Sequence, residues 1–241
     1  MNLLISDQDR VRTILMHRPE RLNAFDGGLV HALADALEAA ADNPEVAVIV
    51  LSGSGRAFST GADLKALAEP RAEVSDGAGG DGFTRLLDTM ADLPKPLLMA
   101  VNGFAVGFGM TMLALADLVF MSTEARLRCP FTELGAPTEA GSSYLLPQLL
   151  GRQHAAWILL SSEWITAAEA HAIGLAWKLC EPDQLLDVTY DHARRLAVHP
   201  VGALGTVKRL MNAPQRAELA AAIEREGVAL ATFVRSFGQN G

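Results

Sequence analysis

The chain has 241 residues, half of them hydrophobic and a fifth charged, with alanine and leucine prominent. This suits one large globular domain, or a domain with a helical appendage, and excludes a disordered chain. A net charge of -8 argues against a nucleic-acid or polyphosphate binder by bulk charge, so a phosphorylated ligand would need local basic groups or helix N-termini.

The opening stretch "MNLLISDQDRVRTILMHRP" alternates and carries charge, with no signal-type apolar region. It reads as two short strands with a turn near Asp7 to Asp9. Next, "DGGLVHALADALEAAADNP" places Leu29, Leu33 and Leu37, with Val30 and Ala34, on one helical face behind an Asp26 N-cap. "EVAVIVLSG" and "KPLLMAVNG" are rich in apolar residues and end at glycine, as buried parallel strands do. Between them, Glu69 to Gly82 is rich in glycine and acid and reads as a mobile loop. The longest apolar run, Leu93 to Met121, is interrupted by Pro96, Asn102 and several glycines. It reads as a core strand, loop and buried helix rather than a membrane span, which favours a soluble cytoplasmic protein without membrane partners.

From about Gly151 onward the pattern is almost wholly helical. Thr166 and Glu169 form a capping box for "TAAEAHAIGLAWKL", and three more amphipathic helices follow. The order of elements predicts an α/β layer of ββα units over residues 1–190 and a helical C-terminal region over 191–241. Cys129 and Cys180 lack metal or redox spacing and read as buried free thiols. The histidines show no H-x-x-x-H or H-E-x-x-H spacing, so no metal is expected. Trp157, Trp164 and Trp177 read as residues that pack helices or a subunit interface rather than stack on a ligand.

Two loops each follow a buried strand and open a helix. In "SGSGRAFSTGADLKAL" the helix begins near Ala62; in "AVNGFAVGFGMTMLAL" it begins at about Phe108. Free N–H groups at two such starts, aimed at one point, would bind an oxyanion such as an enolate. The same spacing describes ordinary strand–helix connections. Neither loop is a dinucleotide fingerprint, and no Walker or G-x-S-x-G sequence is present.

Taken together, "HRPERLNAF", "GRAFSTGADLKAL", "AVNGFAVGFGMTMLALADLVF", "PFTELGAPTEAGSSYLLPQLLG" and "ITAAEAHAIGLAWKLCEP" resemble the crotonase (enoyl-CoA hydratase/isomerase) superfamily over nearly the whole chain. The resemblance implies a spiral of ββα units, a C-terminal helical region that forms homotrimers or hexamers, and an acyl-CoA thioester substrate with no separate cofactor. It places the oxyanion hole on the backbone N–H groups of Ala62 and Phe108, where many relatives carry glycine at the second position and where the ring would narrow the acyl pocket. It lays Arg21, Leu22 and Ala24, with Ala62, Asp63 and Leu64, along the CoA. The two glutamates of the hydratases fall on Thr111 and Phe131. "PTEAGSSY" is instead similar to the peroxisomal-type Δ3,Δ2-enoyl-CoA isomerases, whose single catalytic glutamate maps to Glu139. Relatives carry a further helix after the "FVRS" text; here "SFGQNG" follows, which implies a more open adenine site.

Without the resemblance, Glu139 would read as an exposed glutamate near a helix start. With it, Glu139 becomes the acid/base group of a 3-to-2 double-bond isomerisation. Glu133 is the runner-up base and points away, so a surface role is expected for it; Asp63 and Asp117 are expected to be structural. The same apparatus would also serve hydration, decarboxylation or dehalogenation, and a catalytically weak acyl-CoA-binding or assembly subunit is the alternative outside enzymes.

Overall fold

A computed structural model describes residues 2–63 and 81–237. The chain opens with a hairpin, β1 (Leu3–Gln8) and β2 (Val11–Met16), paired antiparallel from Leu3↔Met16 to Gln8↔Val11. Its two-residue turn is Asp9-Arg10, both at positive φ, one position later than the sequence suggested. This conformation suits the twist of a hairpin.

Helix α1 (Gly27–Asp42) follows, and the Leu29 N–H donates to the Asp26 side chain at 2.8 Å, so the expected cap is present. Leu29, Val30, Leu33, Ala34 and Leu37 form its buried face. Strands β3 (Val48–Gly53) and β5 (Leu97–Val101) are buried at every residue, because both faces of the sheet are covered. With β7 (Leu118–Ser122) and β10 (Lys178–Cys180) they complete a six-stranded sheet of order β1-β2-β3-β5-β7-β10, parallel from β2 onward.

After β3, β5 and β7 the chain turns into a second, smaller sheet of β4 (Ala57–Ser59), β6 (Phe104–Val106), β8 (Arg126–Arg128) and β9 (Ile165–Thr166). These three large-sheet strands thus each pass on to a short strand, which is the ββα rhythm expected. The helices between are α2 (Asp81–Ala91), α3 (Phe108–Thr111), α4 (Ser142–Leu150), α5 (Arg152–Ser161) and α6 (Ala167–Ala172), then α7 (Leu185–Ala197), α8 (Val201–Asn212) and α9 (Arg216–Phe237). The fold is α/β, with two sheets and C-terminal helices, as the resemblance implies.

Three local readings change. The region after Gly151 is not all helical, since it supplies β9 and β10. The helix at Thr166 has its capping box (Thr166 N–H to Glu169 Oε2 at 2.7 Å) but stops at Ala172, where Gly174 at φ 87° turns the chain into β10. Asp81 and Gly82 lie in the first turn of α2 rather than in a loop, and Ala62, near which a helix was expected to begin, pairs with Phe25 in a β-bridge; residues 64–80, the rest of the expected loop and helix, lie outside the described residues. Residue 190 falls within α7.

Cys129 and Cys180 are buried free thiols. Asp117 is structural: it accepts from the Leu97 N–H at 2.7 Å and from Lys208 Nζ at 2.6 Å, tying α8 to the start of β5. Trp164 stacks with Phe104 and Arg128, and Trp177 with Phe120 and His192, but all three tryptophans are exposed, Trp157 by 61 %. Among the described residues, no helix is long and apolar enough to cross a membrane and no cluster of His, Cys, Asp or Glu is placed to hold a metal ion.

Candidate active site

The first glycine loop is held by the segment that carries "RLNAF". The Phe25 N–H donates to Gly61 O at 2.7 Å and the Asp63 N–H to Phe25 O at 2.8 Å, so Phe25 and Ala62 form a parallel bridge. Ala24 directly precedes this bridge, and Leu22 O accepts from the Thr60 N–H at 3.1 Å; Arg21 ends a short 3-10 turn and is exposed. Leu64 lies outside the described residues.

Asn23 makes the segment rigid. It is wholly buried at φ 53°, a left-handed conformation that asparagine tolerates better than most residues. Its amide donates to Ser54 O at 2.9 Å and Ala57 O at 2.8 Å, while its Oδ1 accepts from the Arg18 N–H at 2.9 Å. The Arg18 guanidinium in turn reaches Ala24 O, Asp26 at 2.8 Å and Asp63 at 3.5 Å. Asp63 therefore has the structural pairing expected beside the first loop.

The second loop lies directly against the first. Gly61 has φ 76°, and a Cβ there would stand 2.7 Å from Val106 O and 3.2 Å from Phe108 N. Only glycine lets the two backbones approach this closely. Phe108 is the first residue of α3; the Met110 and Thr111 N–H groups donate to Gly107 O at 2.9 and 3.0 Å, whereas the first N–H groups of a helix have no acceptor within it. Among the described residues, the N–H groups of Ala62 and Phe108 have no hydrogen-bond acceptor. The Phe108 ring is buried edge-on against Phe25 and Phe83, at centroid distances of 4.9 and 4.8 Å. It thus joins an aromatic cluster between the first loop and α2.

Glu139 precedes α4 and is buried, with 7 % exposure. Ala140 and Gly141 follow it at φ 62° and 67°, a left-handed pair that turns the chain into the helix. A Cβ on Gly141 would press on the end of the Leu219 side chain of α9, and the left-handed conformation itself favours glycine there. Thr111, the last residue of α3, donates from Oγ1 to Glu139 Oε1 at 2.7 Å. The carboxylate is therefore fastened to the same helical turn that begins with Phe108. Its second oxygen, Oε2, is buried and has no hydrogen-bond partner.

Burial raises the Glu139 carboxyl from its ordinary 4.5 to about 8; the Thr111 hydroxyl opposes the rise and the nearby Glu226 charge adds to it. Burial, with the charge of Glu139, pushes the Cys129 thiol up as well, so Cys129 is an inert neighbour.

Thr111 and Phe131, onto which the resemblance maps the hydratase glutamates, are both buried, Phe131 with 9 % exposure. Glu133 is exposed and ion-paired to Arg128, a surface role as expected. The structure thus brings Glu139 onto the Phe108 turn and sets that turn against the Ala62 loop.

An enoyl-CoA hydratase/isomerase family model matches residues 6–237. The chain belongs to the enoyl-CoA hydratase/isomerase family. Within this crotonase superfamily it is 32% identical over 219 residues to an Escherichia coli 1,2-epoxyphenylacetyl-CoA isomerase, covering 89% of this chain and 84% of that one. It is 33% identical over 224 residues to the E. coli 2,3-dehydroadipyl-CoA hydratase, covering 93% and 87%, and 30% identical over 220 residues to human enoyl-CoA delta isomerase 2, covering 90% of this chain and 56% of that longer protein. A crystal structure of enoyl-CoA hydratase EchA8_6 from Mycobacterium marinum superposes with a TM-score of 0.82 at 51% identity, covering 89% of this chain and all of that one. Crotonase-family relatives therefore include both isomerases and hydratases, and the chain is a crotonase-type acyl-CoA enzyme.

Proposed function

We propose that the protein is a one-glutamate enoyl-CoA isomerase that moves a double bond from C3 to C2 of an acyl-CoA thioester. The observation that carries this reading is the buried Glu139 carboxylate, whose Oε2 has no partner among the described residues and which is joined through Thr111 to the turn that begins at Phe108.

The thioester oxygen sits between the Ala62 and Phe108 N–H groups. As the C2 proton leaves, negative charge collects on that oxygen, and each well-placed donor lowers the barrier by roughly 3–4 kcal/mol. Glu139 Oε2 takes the proton from C2 and becomes a neutral acid. The dienolate electrons shift toward C4, the same oxygen returns the proton there, and a C2–C3 double bond remains. No proton is gained or lost overall. A carboxyl with a pKa near 8 suits this cycle, because its two protonation states lie close in free energy at neutral pH. Thr111 restrains Oε1, which leaves Oε2 as the oxygen that exchanges.

Hydration needs a second acid to hold and deliver water. The acidic group that acts on Glu139 is Glu226, and both of its oxygens already accept backbone N–H bonds, at 2.6 Å from Gly141 and 2.8 Å from Ser143. This favours isomerisation. In this reading Arg21, Leu22, Ala24, Ala62, Asp63 and Leu64 line the CoA. The exposed apolar residues Trp157 and Leu160 on α5, and Leu210 and Met211 on α8, meet other copies in a homotrimer or hexamer.

Purified protein incubated separately with a 3-enoyl-CoA and a 2-enoyl-CoA tests the assignment. Rapid conversion of the first with little hydration of the second is expected. Efficient hydration without isomerisation overturns it.

A further inference from the structure

The C-terminal helix carries a buried acid for which the isomerase mechanism has no direct use. Glu226 lies on α9 with 7 % exposure. Leu219, Ala222, Ile223 and Glu226 fall on one face at helical spacing. Leu219 and Ile223 are the side chains that stand over Gly141. That face presses on the turn joining Glu139 to α4.

The opening N–H groups of α4 are the nearest source of positive charge for Glu139 along its own chain. Every one of them is occupied. The Gly141 N–H donates to Glu226 Oε2 at 2.6 Å and the Ser143 N–H to Glu226 Oε1 at 2.8 Å. The Ser142 N–H turns back to Glu139 O at 3.2 Å, and the Tyr144 N–H to Gly141 O at 3.0 Å. The helix has no side-chain cap of its own. Its cap comes from a residue 83 to 85 positions away in sequence. The Glu139 side chain is left with Thr111 alone, and its Oε2 stays unpartnered.

We propose that Glu226 is a positioning residue for Glu139: from the C-terminal helix its carboxylate fixes the left-handed Ala140-Gly141 turn, occupies the helix-end donors, and so sets the field in which Glu139 exchanges its proton. Two consequences act in the same direction. The negative charge of Glu226 opposes ionisation of Glu139. Its hydrogen bonds also occupy two of the N–H groups that make the start of α4, three residues after Glu139, a positive helix end. The other polar groups acting on Glu139 are the Thr111 hydroxyl and the neutral Cys129 thiol, and neither supplies an opposing charge.

The inference rests on Glu139 as the acid/base group, so its test reads Glu139 both with and without catalysis. The Glu139 carboxyl is titrated by 13C NMR in glutamate-labelled protein, its signal assigned by its loss in Glu139→Gln, and kcat and KM on a 3-enoyl-CoA are measured against pH. In Glu226→Gln the Glu139 midpoint and the acidic limb of kcat are expected to fall together. The kcat at the optimum is expected to drop about ten- to a hundredfold, with KM changed far less. Glu226→Asp keeps the charge and is expected to hold the midpoint near that of the wild type, which separates the field from a general loss of folding. A Glu139 midpoint unmoved in a folded Glu226→Gln protein overturns the proposal, whatever happens to the rate. If Glu139→Gln proves fully active, the isomerase mechanism fails, yet the NMR midpoint still decides the role of Glu226.

Discussion

Replacing Thr111 by valine removes the one hydrogen bond that the Glu139 carboxylate receives, while keeping the shape of a fully buried side chain. A hydrogen bond to a charged group is worth roughly 1.5–3 kcal/mol, which corresponds to about one to two pKa units. The wild-type carboxyl sits near 8, so about one molecule in ten carries the ionised base at pH 7. In Thr111→Val that fraction falls to between about one in a hundred and one in a thousand, and kcat/KM at pH 7 drops about ten- to a hundredfold. The assay is the pH profile of kcat/KM on a 3-enoyl-CoA from about pH 6 to about pH 10. The acidic limb should move upward while the alkaline plateau stays within a few-fold of wild type, because the base is still present once ionised. A limb that stays in place or moves downward would refute the assignment of Thr111 as the group that steadies Glu139.

Other outcomes follow from the same geometry. Glu139 binds its proton more tightly in the folded chain than at its ordinary 4.5, so the unfolded state holds fewer protons between the two values and stability is lost as pH rises from about 4.5 to about 8. The full penalty is on the order of 3–5 kcal/mol. Glu139→Gln should escape it, and its melting temperature should gain on the wild type through that window; parallel pH curves would contradict the burial argument. Gly61→Ala places a Cβ 2.7 Å from Val106 O and should displace the Ala62 peptide. Its kcat is expected to fall about a hundredfold while circular dichroism stays native, and an unchanged kcat would exclude Ala62 from the oxyanion site.

Much of this architecture was legible because its signals are local. The Asp26 cap, the leucine face of α1, the apolar runs of β3 and β5 and the Thr166–Glu169 box each follow from a few neighbouring residues. The short strands of the second sheet, of two or three residues each, carry too little periodicity to be seen. The strand β10 was hidden in alanine-rich text with high helix propensity; Gly174 was the available sign that the helix ends there.

The site divides in the same way. Glu139, Thr111, Ala62 and Phe108 stand in recognisable text. Asn23 lies within the quoted "RLNAF", and an asparagine between a strand and a helix is a known signal for a left-handed turn, yet its carbonyl-bridging role appears only when β3 and β4 are in place. Glu226 gave no sign at all. In an alanine- and glutamate-rich helix it resembles any solvated acid, and the two N–H groups it caps belong to a turn far away in sequence.

The most direct test of the central claim is kcat for isomerisation of a 3-enoyl-CoA by Glu139→Gln relative to wild type. Glutamine keeps the size of the side chain and still accepts the Thr111 hydroxyl, but it cannot carry the proton from C2 to C4. A loss of at least about a thousandfold is expected, within the range for removal of a positioned acid/base group. A folded Glu139→Gln protein that isomerises within tenfold of wild type would contradict the account.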